Sequence, residues 1–136
     1  MATLPTGKLI IGWSEFDLDS KSSWDIRTAI VSVTGVVVGS PITLNDFRSY
    51  DQTGVRISSG SDGALAVWST RGADGSGLGI AAKAITANGL FAGEEMVLNQ
   101  NRRNDQFAPN VVATATGYRA IWSDFSGIST ALLHSF

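Results

Sequence analysis

Apolar and polar residues alternate along this chain in short runs of about six to nine residues, broken by clusters of Gly, Asn, Asp and Ser. Side chains of an extended strand point to opposite faces in turn, so this alternation predicts strands. Helix is almost absent from the pattern. One strand type is predicted at 8–14 (KLIIGWS), 64–69 (ALAVWS) and 118–123 (YRAIWS). A second falls at 25–33 (DIRTAIVSV), 79–86 (GIAAKAIT) and 128–135 (ISTALLHS). A third occupies 36–44 and 90–98, and a fourth 55–59 and 110–114, with residues 1–4 matching the end of the fourth type.

The same order of types returns because the sequence repeats. At an offset of about 54 residues Ile26 falls on Ile80, Gly35 on Gly89, Leu44 on Leu98, Asn45 on Asn99, Gln52 on Gln106 and Trp68 on Trp122. Trp13-Ser14 precedes Trp68-Ser69 by one residue more, which places the difference in a hairpin. Between the third and fourth types lie polar connections, 45–54 and 99–109, too long for a tight hairpin and suited to a crossing between sheets. Four short strands per unit of about 54 residues is the arithmetic of a β-propeller blade. The expected fold is therefore all-β: one domain, 1–136, of propeller-like four-stranded antiparallel blades. The repeats run approximately 1–54, 55–108 and 109–136, the last incomplete.

So few blades, about 2.5 to 3, leave open apolar faces and strand edges. A ring closed by a second copy, a head-to-tail homodimer with six blades, is the expected remedy. The alternative is that the chain is a piece of a longer protein.

Composition narrows the chemistry. The 136 residues include 43% apolar positions, enough for one sizeable core. Ten basic residues against twelve acidic give a net charge of -2, which supplies no attraction for nucleic acid. The absence of cysteine excludes disulfides, thiol nucleophiles and thiolate zinc sites, and the single His134 excludes multi-histidine cages. No run approaches the roughly 20 apolar residues of a membrane-spanning helix, so membrane insertion is not expected, and residues 1–6 lack the plan of a signal peptide.

The run DGALAVWSTRGADGSGLGIAAKAITANGLFAGEEMVLN (62–99), with Asp105-Gln106 and Pro109-Asn110-Val111, resembles the tandem repeats of large bacterial surface and secreted proteins. Those repeats accompany calcium-binding or cadherin-like modules, and their consensus contains W-x-S, D-G-x-G-x-G-I-x-A, G-x-x-x-G-x-E and D-Q-x-x-P. The first copy departs from it at Ser40-Pro41, where the family carries an acidic residue. The resemblance implies propeller blades, a secreted or cell-surface setting and a role in adhesion, and it transfers no catalytic residue.

Candidate sites are few. Trp13, Trp68 and Trp122 recur in equivalent strands and are expected to pack between sheets. Trp24 has no counterpart, lies in a polar hairpin and is a candidate ligand contact, as are the unrepeated Arg102 and Arg103. Asp17, Asp19 and Asp25 form a calcium-like spacing, weakened by Lys21 at its fifth position; calcium is the only cofactor the residues suggest. Adjacent Glu94 and Glu95 point to opposite faces of a strand and cannot share a substrate atom, and GADGSGLG (72–79) has no following helix to bind phosphate. The reading is a non-catalytic, lectin-like recognition module, with a glycan or a surface protein as partner. The alternative is an assembly module making protein contacts only.

Overall fold

The computed structural model describes residues 1–18 and 24–134. It contains eleven strands among those residues, all paired antiparallel. The first sheet holds β1 (Ala2–Thr3), β2 (Leu9–Phe16), β3 (Trp24–Val31) and β4 (Val37–Thr43) in that order. The second holds β5 (Gln52–Ser59), β6 (Gly63–Arg71), β7 (Leu78–Thr86) and β8 (Phe91–Val97). The third holds β9 (Phe107–Thr114), β10 (Gly117–Asp124) and β11 (Gly127–His134). Each sheet is one repeat beginning with its fourth-type strand, and the polar connections carry the chain from one sheet to the next, as their length predicts.

The sheets stack face to face, the second between the other two. Alternation decides which side chain goes where. Along β6, Ala64, Ala66 and Trp68 face the first sheet, where they meet Leu4, Ile10, Ile26 and Leu44 in one buried cluster. Leu65 and Val67 face the third sheet and join Ile80, Ala82, Tyr118, Ala120 and Trp122 in the other. A strand buried on both sides reads as a continuous apolar run, and ALAVW is one. β5 packs beside both β2 and β9 and so joins the two cores.

Small residues set how closely the sheets approach. A Cβ on Gly12 would stand 3.0 Å from Ile57 Cδ1, so β2 carries glycine where β6 carries Val67. Gly89, at φ 86°, closes the β7–β8 turn in the left-handed region, and its bare Cα leaves room for Ile30 of the first sheet. The described residues form an open stack of three sheets.

Candidate functional site

Every sheet presents two unlike faces. One is built around the repeated tryptophan: Trp13, Trp68 and Trp122. The other is built around a residue pair on the second and third strands of the sheet: Gly12 and Ile26, Val67 and Ile80, Ile121 and Ile128. The Trp68 face packs on the Ile26 face of the first sheet, and the Trp122 face packs on the Ile80 face of the second. The same joint is thus made twice. Among the described residues no further sheet packs on the remaining face of each kind, at opposite ends of the stack.

Exposure follows that arrangement. Trp68 is fully buried, whereas Trp13 is partly exposed and donates its indole N–H to Glu15 Oε2 at 3.0 Å. Val67 and Ile80 are fully buried, whereas Ile121 is 41% exposed and Ile128 78%. Val112 and Leu132 flank Arg119 in register on the same outer face, and both are exposed. Each uncovered face also carries a cation absent from the buried copies. Arg27 stands opposite Trp13, where Ala81 and Ser129 stand opposite the other tryptophans, and it pairs with Glu15 at 3.4 Å. Arg119 stands where β6 has Leu65.

Polar clamps fasten each crossing to its own sheet. Asn45 Oδ1 accepts the Ile26 N–H at 2.8 Å, and Asn45 Nδ2 donates to Asp25 Oδ1 at 2.8 Å. Asn99 does the same with the Ile80 N–H at 2.8 Å and Asp74 Oδ2 at 2.7 Å, and adds Gln106 Oε1 at 2.8 Å. Gln52 and Gln106 are buried and donate to backbone carbonyls of the crossings, which accounts for the recurrence of Asp-Gln.

A further cluster lines a cleft of about 540 Å³ between the first crossing and β8. Lys83 Nζ lies 2.5 Å from Asp46 Oδ1 and 5.0 Å above the Phe91 ring. Glu95 Oε2 accepts the N–H groups of Asp46 at 2.7 Å and Phe47 at 3.0 Å, while Asp46 Oδ2 accepts the Glu95 N–H at 2.8 Å. Burial pushes the Asp46 carboxyl up, but the hydrogen bonds from Lys83 and the Glu95 N–H outweigh it and leave the group below its ordinary value. Burial raises the Glu95 carboxyl, against the N–H bonds from Phe47 and Asp46 and with the charge of Asp46. Both carboxylates are thus engaged by backbone across the seam, the arrangement of a latch.

The predicted site residues are dispersed. Trp24 meets Phe16 edge to face at 5.5 Å, and both rings are exposed at one hairpin of the first sheet. Arg102 and Arg103 are exposed in the crossing after the second sheet, where the Arg103 N–H donates to Asn101 Oδ1 at 3.0 Å. Asp17 and Asp25 do converge, but on a guanidinium: Arg48 lies 3.4 Å from Asp17 Oδ2 and 2.8 Å from Asp25 Oδ2. Asp19 lies outside the described residues. Among the described residues no three acidic or histidine side chains gather as a metal site would need. The Lys83 latch escaped the sequence reading, although a lysine inside the apolar run IAAKAI was its signal. No protein family, curated protein or solved structure matches this chain.

Proposed function

We propose that this protein is a non-catalytic assembly module whose sheets are blades of a β-propeller completed by a second copy. The Trp13 face of one copy packs on the Ile121–Ile128 face of the other, head to tail, and two such joints close a ring of six sheets. One observation carries this: the two internal joints bury these same two kinds of face, and one of each is left uncovered. Apolar side chains on an open sheet face are costly in water, and each internal joint pairs the same two kinds of face. Sedimentation equilibrium should give twice the 14.3 kDa chain mass at micromolar concentration, and Ile121→Asp should return it to the chain mass. A well-folded chain that stays at its own mass up to high micromolar concentration would overturn the proposal.

A second reading, recognition of a glycan or surface partner, is favoured by the exposed Phe16–Trp24 pair at one rim. Reproducible binding on a glycan array that Trp24→Ala abolishes would establish it, and an array without hits would remove it.

A further inference from the structure

The third sheet has three strands where the others have four. Among the described residues no strand pairs with the outer edge of β11. What belongs at such an edge is visible in the other two sheets. There Leu-Asn directly follows the fourth strand. The Leu44 N–H donates to Ile26 O and the Leu98 N–H to Ile80 O, each at 2.8 Å. The asparagine that follows closes back on the N–H of the same isoleucine and on an acidic side chain, Asp25 or Asp74.

The third sheet keeps the receiving half of that arrangement. Ile128 holds the register position of Ile80, opposite Ser123 as Ile80 is opposite Ser69. Asp124 repeats the turn of Asp74: its Oδ1 accepts the Ser126 N–H at 2.7 Å, as Asp74 Oδ1 accepts the Ser76 N–H at 2.9 Å. The oxygen that in Asp74 receives Asn99 is in Asp124 turned to the Ser129 hydroxyl at 2.7 Å. A cleft of about 470 Å³ runs beside this edge, floored by Trp122 and walled by Asp124, Thr130, Leu132 and the crossing at Asn99 to Asn101.

We infer that the β11 edge and its cleft form a binding site for an extended peptide strand followed by leucine and asparagine. The strand adds antiparallel to β11, its leucine N–H donates to Ile128 O, and its asparagine bridges the Ile128 N–H and Asp124 Oδ2, displacing the Ser129 hydroxyl. Main-chain bonds supply affinity and the Leu-Asn end supplies specificity, as in other strand-addition sites. The site uses the main-chain edge of β11; the side chains of Ile128 and Leu132 also belong to the open Ile121–Ile128 face, but strand addition does not require that the ring close.

The test uses the whole chain and a synthetic peptide of residues 90–101 (LFAGEEMVLNQN), the strand that fills the equivalent place in the second sheet. Titration by nuclear magnetic resonance should move the amides of Ile128, Thr130 and Leu132 saturably. A peptide with alanine for the asparagine should bind about tenfold more weakly, the loss expected for hydrogen bonds to a charged acceptor. Thr130→Pro, which removes an edge N–H, should abolish binding. Because that variant could unfold, the peptide series on the unaltered chain decides. No shift at the edge, or equal binding by peptides with and without Leu-Asn, would overturn the inference.

Discussion

A single asparagine does much of the fastening in each complete sheet. Asn99 joins a main-chain N–H, a carboxylate and a glutamine in a buried place, so Asn99→Ala takes one hydrogen-bond partner from each of the three. We expect a loss of about 2–4 kcal/mol in urea unfolding. Asn45→Ala should cost less, because Gln52 bonds only the crossing backbone and not Asn45. The Lys83 latch yields a pH signature with two limbs. The folded-state value of Glu95 is raised, so its protonated form is favoured by folding, and stability rises as pH falls through that value toward 4.5. The value of Asp46 is lowered, so its contribution is complete above 3.8 and is lost as pH falls below that. Urea midpoints across pH should therefore peak between these two limbs, with Glu95→Gln flattening the upper limb and Asp46→Asn the lower. Much at this scale was hidden in the sequence. The recurrence of Asn45 and Asn99 was visible, but only the fold shows that each reaches back across its sheet. Its spacing from Glu94 gives no sign of the role of Glu95, whose partner is the backbone of another repeat.

The strands themselves were far more legible. Alternation placed all eleven within a few residues, because a half-buried sheet imposes a period of two on its sequence. The repeat then fixed their grouping, since each sheet is one period and each polar crossing one boundary. What periodicity did not distinguish is a tryptophan that is covered from one that is not. Trp68 and Trp13 occupy the same place in their strands, yet the first lies under a neighbouring sheet and the second does not. Trp68→Ala should cost about 3–5 kcal/mol in unfolding, the range for emptying a large buried site. Trp13→Ala should cost about half of that or less in dilute protein, where no neighbour covers it, and should weaken association instead. Equal losses at the two positions, read by the same urea titration, would show that Trp13 is buried by something within its own chain. The doubly buried strands β6 and β7 are the least tolerant of added volume. Ala66→Leu should cost about 1–3 kcal/mol through overpacking against the first sheet.

For the molecule as a whole, the decisive property is that its two ends differ. One end shows a tryptophan face with the Arg27–Glu15 pair, the other an isoleucine face with Arg119. Charges on an open sheet face discourage unwanted association, and burying Arg119 without a partner carries a desolvation penalty. Arg119→Leu, which restores the apolar residue of β6, should therefore tighten association by about tenfold, measured by dilution in sedimentation velocity. If its unlike ends join as proposed, the stack has direction. Every copy that joins leaves the same pair of ends behind it, so nothing in the joint itself counts the copies. Only the rotation from one sheet to the next decides whether growth returns to its start or continues. Arg119 would then be more than a brake on pairing. With it removed, any change that alters that rotation should turn a finite particle into a fibre, seen as light scattering that climbs with concentration and reaches no plateau.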